Sequence, residues 1–460
     1  MIPLHPLQNR KIAVLGLSRT GEAVVAAALA GGAAGVEVWD DSPDRLKATL
    51  STFPAAQARN FAETGFDADH FALVMSPGIP LTHPSPHPAV SRAKAQSIPV
   101  VGDVELLWQA CGQTNPFIGL TGTNGKSTAT ALLGHVLTVA GLNPAVGGNI
   151  GEAVLALDPP PRGAPFVLEL SSYQLDLCRS TGFAGAALLN ISPDHLSRHG
   201  GLSGYIDAKL RIFARQQPGN LALIGVDDDY GPTIAAALTN HSQATVLPVT
   251  TARTLDVGLS AAGGDLRLNG QAILNMADLP HLSGAHNWQN AAVAAGLAWH
   301  AGLSVDAIAT GIAGFTGLAH RQERIGSRNG LTFINDSKAT NGEAAAVALR
   351  AHSNIYWLLG GQAKEDGLQA ALHDLAQVRG AFCYGESGAE FAATLAEKGV
   401  QTAIFSDLEQ AFGAALVTAE GESAHSATIL LAPAAGSWDQ FPSFEVRGDA
   451  FRALAATYLT

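Results

Sequence analysis

The chain has 460 residues, of which 47% are hydrophobic and 14% are charged, and its formal net charge is -12 at pH 7. This length predicts about three domains, and this composition suits packed cores and excludes a disordered chain. The acidic balance argues against general binding to nucleic acid or to an anionic membrane, because both need a spread-out basic surface.

The N-terminus and the cysteines exclude two further classes of protein. The apolar run before the first glycines is too short for a signal peptide, and no later apolar stretch is long enough to span a bilayer. We therefore expect a cytoplasmic protein without membrane insertion. Cys111, Cys178 and Cys383 are scattered and form no C-x-x-C pair, so neither a disulfide framework nor a zinc site is expected.

The first hundred residues alternate strand-like and helix-like runs, the pattern of a doubly wound fold. The strands are predicted at KIAVLG, VEVWD and FALVMS, and a helix at GEAVVAAALAGG. The turn GLSRTG lies where a dinucleotide fingerprint would lie, and Asp40 ends the next strand, as a ribose-binding acid would. Ser18 occupies the middle glycine position of that fingerprint. The signal for NAD is therefore weak, and another ligand with a diphosphate could use the same geometry.

A second α/β block begins near Pro116 and contains a phosphate-binding loop. The strand-like PFIGL leads into TGTNGKST, and the helix-like STATALLGHVL follows. In such a loop, glycines let main-chain N–H groups converge on an anion while a lysine reaches the terminal phosphates. Leu120 stands five residues before Gly125, so the strict G-x-x-x-x-G-K-[ST] pattern is not met. Gly122, Gly125 and Lys126 nevertheless predict a triphosphate site.

Polar residues at the strand ends of this block are candidate metal ligands. Glu169 interrupts the apolar run FVLELSS, and Asn190, Asp194 and His195 follow the strand-like AALLNIS. A buried carboxylate is costly unless a cation or hydrogen bonds take its charge. Glu169, His195 and the hydroxyl of Ser127 are therefore expected to hold Mg²⁺ beside the nucleotide phosphates, although each residue alone could be structural.

The rest of the chain completes the predicted pattern. Short glycine-punctuated runs at residues 254–275 predict a small antiparallel side sheet, and the helix-like NWQNAAVAAGLAWHAG closes the second block. From residue 318 a third block begins, with strands predicted at LTFIND, IYWLLGG, AFCYG, TAIFS and ATILLAP and a last helix at FEVRGDAFRALAATYL.

Polar groups follow several strands of the third block. They are Asp336, Ser337, Lys338, Thr340 and Asn341 in one loop, Lys364 after the next strand, and Ser437 and Phe444 after another. The first of these loops could simply cap the helix that follows it. Together, the cations and hydroxyls could instead bind an anionic small molecule.

The sequence thus predicts an α/β protein of three domains. Residues 1–104 should form a Rossmann-like domain, residues 105–317 a central domain with a mostly parallel sheet of the P-loop ATPase type and a small antiparallel side sheet, and residues 318–460 a second Rossmann-like domain.

Eight segments in order resemble the Mur ligases over nearly the whole chain. They are GTNGKST, GNIG, LELSSYQL, NISPDHLSRH, AKLRIF, GAHNWQNAAVA, AHRQERI and NDSKATN, of which the last is the most discriminating. The resemblance implies a cytoplasmic, monomeric ligase of peptidoglycan precursor synthesis. ATP would phosphorylate the terminal carboxylate of UDP-N-acetylmuramoyl-L-alanine, and the amino group of D-glutamate would attack the acyl phosphate to form an amide.

The resemblance also implies a role for each matching residue, and it assigns the three domains to the UDP-substrate, ATP and the amino acid in chain order. The ATP site would contain Gly122, Thr123, Asn124, Gly125, Lys126, Ser127, Thr128, Asn287, Asn290, Arg321 and Asp336. Ser127, Glu169, His195 and Lys209 would serve two Mg²⁺ ions, and Lys126, Asn149, His195 and Lys209 would be catalytic. Lys209, which otherwise reads as an ordinary surface lysine of a helix, would be carbamylated by CO₂.

The substrate-binding sets follow in the same way. Ser18, Arg19, Thr20, Asp40, Asp41 and Ser76 would bind the UDP-substrate, and Lys338, Thr340, Lys364, Ser437 and Phe444 would bind glutamate. The chain departs from the family pattern at Ser18, where glycine is frequent, at Arg19, which replaces an apolar residue, and at Asp41, which replaces a hydroxyl residue. These departures concern the nucleotide contacts and not the catalytic set.

Three alternatives remain open at the level of the sequence. The same chemistry could use L-glutamate or another amino acid. An NAD-dependent oxidoreductase could be built on the first block, although Ser18 argues against it. A non-catalytic nucleotide switch would leave Glu169, His195 and the cluster of the third block without a role.

Overall fold

The computed structural model describes residues 1–282, 284–363, 367–422 and 426–460, so the predicted site residue Lys364 lies outside the described residues. The chain divides into two compact units, Met1–Phe315 and Thr316–Thr460. Within the described residues, the first unit contains two sheets and the second unit contains one. The division into three domains at residues 104 and 317 stays a prediction.

The first sheet is parallel and has helices connecting its strands. Its strands are β1 (Lys11–Leu15), β2 (Gly35–Trp39), β3 (Gln57–Ala58), β4 (His70–Met75) and β5 (Val100–Val101), in the order β3-β2-β1-β4-β5. The helices are α1 (Arg19–Ala30), α2 (Pro43–Thr52), α3 (Phe61–Thr64), α4 (Pro88–Ala95) and α5 (Asp103–Cys111). The strand order reverses between β1 and β4, so the loops after these two strands lie where open α/β sheets bind ligands.

The second sheet follows in the same unit. Its strands are β6 (Phe117–Thr121), β7 (Ala145–Gly148), β8 (Phe166–Glu169), β9 (Gly185–Leu188), β10 (Leu221–Gly225), β11 (Thr245–Thr250), β12 (Leu259–Ala262), β13 (Asp265–Leu268) and β14 (Gln271–Asn275). The order is β14-β13-β12-β11-β10-β9-β6-β8-β7, and only the pairs β12–β13 and β13–β14 are antiparallel within the described residues. The predicted antiparallel side sheet is therefore the continuous edge of this large sheet.

Helices cover this second sheet and complete the unit. They are α6 (Lys126–Val139), α7 (Ser172–Asp176), α8 (Leu196–His199), α9 (Leu202–Leu210), α10 (Gly231–His241), α11 (Ala285–His300) and α12 (Val305–Ala313). Strand β6 is buried along its whole length between β8 and β9, since every residue from Phe117 to Thr121 is buried. The loops after β8, β6 and β9 are consequently neighbours at one edge of the sheet.

The second unit has a mostly parallel sheet of its own. Its strands are β15 (Glu323–Arg328), β16 (Leu331–Asn335), β17 (Ile355–Gly360), β18 (Val378–Tyr384), β19 (Thr402–Phe405) and β20 (Ala427–Leu431). The order is β15-β16-β20-β17-β18-β19, with β15 antiparallel to β16. The helices are α13 (Gly342–Ala351), α14 (Gly388–Glu397), α15 (Leu408–Gly421) and α16 (Phe444–Leu459). The loops after β16, β20 and β17 are neighbours.

The three sheets confirm the predicted α/β fold class. The strands that the apolar runs predicted are all present, whereas the short or half-buried strands β3, β5, β7, β11 and β15 were not predicted. Short 3-10 helices occupy His5–Leu7, Arg211–Phe213, Pro280–Leu282, Gln369–His373 and Leu375–Gln377. In the described ranges, every helix is too short or too polar to cross a membrane.

Candidate active site

The loop that the sequence predicts to bind phosphate lies between β6 and α6. Gly122 and Gly125 have φ of 153° and 84°, a region that favours glycine. A Cβ atom on Gly125 would lie 2.3 Å from Oδ1 of Asn290, so the loop and α11 approach too closely for a side chain. The Nζ atom of Lys126 donates hydrogen bonds to the main-chain oxygens of Gly122 (3.0 Å) and Thr123 (2.9 Å). The lysine therefore folds back over the loop.

Two asparagines from neighbouring elements lie against this loop. Asn190, which follows β9, accepts a hydrogen bond from the Asn124 N–H at 2.9 Å and donates one to the Asn124 oxygen at 3.2 Å. Asn290 on α11 donates to Oδ1 of Asn287 at 3.4 Å. The structure thus places the predicted residue Asn290 beside Gly125 of the loop, with the predicted residue Asn287 as its hydrogen-bond partner. Ser127 and Thr128 belong to the first turn of α6, and Ser127 is buried.

Glu169 ends β8 and provides the clearest sign of a cation site. Its side chain is buried, and its Oε1 atom accepts a hydrogen bond from Nδ2 of Asn149 at 3.0 Å. Its Oε2 atom is buried and has no hydrogen-bond partner among the described residues. An unpartnered buried carboxylate oxygen is costly, so it indicates a missing positive partner. Together with the hydroxyl of Ser127, this donor chemistry fits Mg²⁺.

Lys209 is fully buried on α9, which contradicts the ordinary reading of it as a surface lysine. Its Nζ atom donates to the main-chain oxygen of Gly122 at 2.7 Å and lies 4.6 Å from the ring centre of Tyr205. Burial, and next the charge of Lys126, lower the pKa of Lys209 to about 7, whereas Asp194 acts in the opposite direction. A buried amine that is partly neutral is a good nucleophile.

His195 follows β9 and has a positive φ of 51° at the start of α8. Its side chain is half-exposed, its Nε2 atom lies 3.3 Å from Oδ2 of Asp194, and its ring lies 5.0 Å from that of Tyr173. Burial lowers the pKa of His195, and the neighbouring charge of Asp194 raises it. The imidazole of His195 lines the same cavity as Lys126 of the loop between β6 and α6.

A cavity of about 640 Å³ in the first unit brings most of the predicted residues together. Its walls include Ser18, Arg19, Thr20, Asp40, Asp41 and Ser76 from the predicted UDP-substrate set and Lys126, Asn149, His195 and Lys209 from the predicted catalytic set. The volume is in the range of small-molecule sites. Residues from two separate sheets thus meet in one space.

The loops of the first sheet shape one end of this cavity. Asp40 accepts hydrogen bonds from the N–H groups of Leu17 (2.7 Å) and Ser42 (2.8 Å), and Ser76 donates to the Gly16 oxygen at 2.9 Å. Asp40 therefore has a structural role, because its carboxylate fixes the loop after β1 and the start of the loop after β2. Its oxygens each retain a lone pair for a ligand.

Asp41, where the chain departs from the family pattern, is held by two donors. Nε1 of Trp39 donates to its Oδ1 atom at 3.1 Å, and Nε2 of His87 lies 3.1 Å from its Oδ2 atom. Nδ1 of His87 accepts the Ala89 N–H at 3.1 Å, so Nε2 is the nitrogen that donates to Asp41. This acid is thus oriented at the cavity wall, with 73% of its side chain exposed.

Sequence reasoning missed several residues of the same cavity. Tyr173 and Tyr205 line it, and Arg198 lies with its guanidinium 4.6 Å from the ring centre of Tyr173. Arg198 also donates hydrogen bonds to the main-chain oxygens of Gly78 (2.7 Å) and Ile79 (2.9 Å). Every residue has a main-chain oxygen, so the sequence could not show that Arg198 donates to those of Gly78 and Ile79. Tyr173 could have been noticed only as an aromatic residue within SSYQ.

The second unit holds the remaining predicted residues. Asp336 follows β16 and is buried, and burial raises its pKa to about 7 although the charge of Arg321 lowers it. Lys338 follows in the same loop, with its Nζ atom 5.2 Å from the ring centre of Phe444. Thr340 donates its N–H to the Lys338 oxygen at 2.8 Å, and Ser437 is buried after β20. Asp336, Lys338 and Thr340 thus lie in the loop after β16 and Ser437 in the neighbouring loop after β20, whereas Phe444 begins α16 and Arg321 precedes β15.

Comparison with protein families gives two matches. Residues 120–298 match the model of the Mur ligase middle domain, and residues 320–435 match that of the Mur ligase, glutamate ligase domain. The UDP-N-acetylmuramoylalanine--D-glutamate ligase of Paramagnetospirillum magneticum is 43% identical over 458 residues, which is 100% of this chain and 99% of the relative. The protein of the same name from a Caulobacter species is 42% identical, over 98% of this chain and 97% of the relative.

Solved structures agree in fold. MurF from Acinetobacter baumannii has a TM-score of 0.57 and 18% identity, and covers 98% of this chain and 92% of its own. The UDP-N-acetylmuramate-alanine ligase MurC from Thermotoga maritima has a TM-score of 0.56 and 17% identity, and covers 97% of this chain and 99% of its own. At this identity the likeness concerns the fold alone.

Proposed function

The chain belongs to the Mur ligase family, and from that premise we propose that it joins D-glutamate to UDP-N-acetylmuramoyl-L-alanine with cleavage of ATP to ADP and phosphate. The observation that carries this proposal is the shared cavity of the first unit. Residues beside the phosphate-binding loop and residues of the first sheet line the same space, so a nucleotide-linked carboxylate and the terminal phosphate of ATP could meet there.

The reaction has two covalent steps. A carboxylate oxygen of the UDP-substrate attacks the γ-phosphorus of ATP, and ADP leaves. The amino nitrogen of D-glutamate then attacks the carbonyl carbon of the acyl phosphate, loses a proton, and expels phosphate as the amide forms. Phosphorylation is needed because a free carboxylate is a poor electrophile, and the two anions must be brought together against their repulsion.

The residues of the cavity offset this repulsion. Lys126 places a fixed positive charge at the phosphate-binding loop, where the main-chain N–H groups and the start of α6 also favour anions. Glu169, Ser127, His195 and Lys209 are the groups that would hold two Mg²⁺ ions. When bound, Mg²⁺ neutralises phosphate charge. Asn149 orients Glu169 and lines the cavity near the reacting carboxylate.

Lys209 would take part as a carbamate. Its amine is buried next to Gly122 and near Lys126, where a second cation is unfavourable. Attack of the neutral amine on CO₂ forms a nitrogen–carbon bond and releases one proton, and the product is an anion that suits this cationic surrounding. This change of sign would turn Lys209 into a metal-binding group.

The substrates divide between the domains in chain order. Residues 1–104 would bind the UDP-substrate through Ser18, Arg19, Thr20, Asp40, Asp41 and Ser76, and residues 105–317 would bind ATP. Residues 318–460 would contribute Arg321 and Asp336 to ATP binding and would bind D-glutamate through Lys338, Thr340, Lys364, Ser437 and Phe444. One chain supplies the whole set, so we propose that it works as a monomer, and we propose that the reaction takes place in the cytoplasm.

The proposal is tested by measuring phosphate release from Mg·ATP with UDP-N-acetylmuramoyl-L-alanine and D-glutamate, L-glutamate or no amino acid. We expect release that depends on D-glutamate and a product heavier by one glutamyl residue. The variant Lys126→Ala, which removes the phosphate-loop cation, should lose this release. Release with L-glutamate alone would overturn the specificity, and a lack of release in all three mixtures would overturn the reaction.

A further inference from the structure

Arg447 is a buried cation of the second unit to which the reaction described so far gives no role. It lies in the first turns of α16, and its side chain is fully buried. In the described residues, the acceptors of its hydrogen bonds are neutral, one hydroxyl and several main-chain oxygens. Burial of a charged guanidinium without a carboxylate partner costs desolvation free energy, even when its N–H groups are hydrogen-bonded. A neutral side chain would avoid this cost, so a role for the guanidinium is expected.

The guanidinium of Arg447 joins the ends of three neighbouring strands. Nε donates to Oγ of Ser337 at 3.0 Å and Nη2 to the Ser337 oxygen at 2.8 Å, in the loop after β16. Nη1 donates to the oxygens of Ala435 and Gly436, each at 3.1 Å, in the segment after β20. Nη1 also lies 3.5 Å from the oxygen of Gly360, the last residue of β17.

Two of these segments, the loops after β16 and β20, lead directly to a residue of the proposed glutamate site. Lys338 follows Ser337, and Ser437 follows Gly436. Ser337 Oγ, besides accepting from Arg447, donates to the main-chain oxygen of Phe444 at 2.8 Å. The ring of Phe444 lies under the ammonium of Lys338. The guanidinium is therefore the shared anchor behind the groups that would face the amino acid.

We infer that Arg447 is a positioning residue for the amino-acid substrate, whose guanidinium sets the relative placement of the loops after β16, β17 and β20 and so the spacing of the groups that bind a dicarboxylic amino acid. This inference rests on the proposed function. A guanidinium offers five N–H donors in a rigid planar fork, whereas a lysine offers one compact ammonium. Only the fork can hold several loops at fixed separations.

The helix itself offers a matched control. Arg452 lies five residues further along α16, where its guanidinium donates to Glu323 at 2.8 Å and its side chain is 37% exposed. It contacts neither Ser337 nor the segment after β20 in the hydrogen bonds of the described residues. Arg452→Met therefore removes an arginine and its ion pairs with Glu323 and Asp449 from the same helix, and it removes no direct hydrogen bond to the three loops in the described residues.

The test compares the full-length wild type with Arg447→Lys, Arg447→Met and Arg452→Met by steady-state kinetics in which each substrate is varied in turn. We expect both Arg447 variants to raise the KM for D-glutamate by at least about tenfold, since small displacements of binding groups have effects of this size. The KM for UDP-N-acetylmuramoyl-L-alanine and the rate of hydroxylamine-trapped acyl phosphate formation should stay near those of the wild type. Arg452→Met should keep the KM for D-glutamate.

Chemical rescue separates positioning from plain stability. For Arg447→Ala, guanidinium at concentrations well below denaturing ones should lower the KM for D-glutamate, and an equal concentration of sodium chloride should not. If Arg447→Met and Arg447→Ala fail to fold, the KM of Arg447→Lys for D-glutamate is the deciding measurement, because this variant keeps the charge and most of the volume.

Two results would overturn the inference: a normal KM for D-glutamate in Arg447→Lys, or an equal rise in the KM for all substrates. Failure of the proposed function would look different, because the wild type itself would then not use D-glutamate. If the wild type used another amino acid, the KM for that amino acid would be the measured quantity.

Discussion

Arg198 and Gly78 lie 120 residues apart, and Nη1 of Arg198 donates a hydrogen bond of 2.7 Å to the main-chain oxygen of Gly78. The same guanidinium donates to Ile79 and lies against the ring of Tyr173. Gly78, Ile79 and Tyr173 all line the cavity of the first unit. Arg198 therefore joins the loop after β4 to the region of His195, at the wall of this cavity.

We predict that Arg198→Met raises the KM for UDP-N-acetylmuramoyl-L-alanine by roughly tenfold to a hundredfold, because the hydrogen bonds of a charged group contribute about 1.5–3 kcal/mol. The KM for ATP should change much less, since Arg198 has no hydrogen bond to the phosphate-binding loop among the described residues. The control is Arg215→Met, which removes an exposed arginine whose Nε atom donates to the main-chain oxygen of Arg179. Equal changes in both KM values would contradict this assignment.

Lys209→Ala should reduce turnover by about tenfold to a hundredfold, the effect typical of losing a group that supports a bound metal. Short carboxylic acids such as acetate should restore part of the activity, because a carboxylate can take the place of the carbamate in the vacated space. Phosphate release with and without added acetate measures both effects. Full activity without acetate, or no rescue at any concentration, would remove the carbamate from the proposed mechanism.

Gly125→Ala should destabilise the protein and weaken ATP binding. The positive φ of 84° costs an alanine about 1–2 kcal/mol, and the new Cβ atom would lie 2.3 Å from Oδ1 of Asn290. Gly141→Ala is the matched control, because Gly141 has a φ of 81° and a Cβ atom there meets no described atom within 4 Å. Urea unfolding should show a larger loss of the free energy of unfolding for Gly125→Ala than for Gly141→Ala, and titration with ATP should show a larger loss of affinity. Equal losses in the two variants would contradict the prediction, because they would mean that the side chain of Asn290 moves aside without an energetic cost.

Glu105→Gln should lower the free energy of unfolding at pH 7 by about 2–3 kcal/mol, because Glu105 is a buried charged acceptor. Its carboxylate accepts hydrogen bonds from the N–H groups of Arg179, Ser180 and Thr181 and from the hydroxyls of Ser180 and Thr181. The side-chain amide of glutamine would direct its own N–H donors toward these N–H and O–H groups, so some of them would lose their acceptor.

The effect of Glu105 should depend on pH in a defined direction. Burial alone would raise the pKa of Glu105, but the hydrogen bonds of Ser180 and Thr181 outweigh it and lower the pKa below its usual value of 4.5. The folded state thus binds the proton more weakly than the unfolded chain, so the stabilisation is present above pH 4.5 and is lost as the pH falls toward the folded pKa. The difference between wild type and Glu105→Gln in urea should shrink in this window. A difference independent of pH, or one equal to that of the exposed control Glu63→Gln, would contradict the prediction.

The parts of the site that could be predicted from sequence are those that the chain builds locally. The phosphate-binding loop between β6 and α6 was found because its strand, glycines, lysine and helix are consecutive. Glu169 could be predicted as a buried polar group, because a carboxylate within an apolar strand is conspicuous in the sequence. Asp40 was found for its place at the end of β2, but the sequence did not show that its oxygens accept the N–H groups of Leu17 and Ser42.

The sequence by itself determined the α/β class, the main strands, the position of the loop between β6 and α6 and, through the family resemblance, the reaction to be expected. Only the tertiary structure decided that Lys209 is buried against Gly122, that Arg198 holds the loop at Gly78, and that Arg447 anchors the segments at Ser337 and Gly436. The physical reason is that these three cations donate their hydrogen bonds largely to main-chain oxygens. Main-chain oxygens are the same at every residue, so which of them meets a given cation depends on how strands distant in sequence are ordered in a sheet.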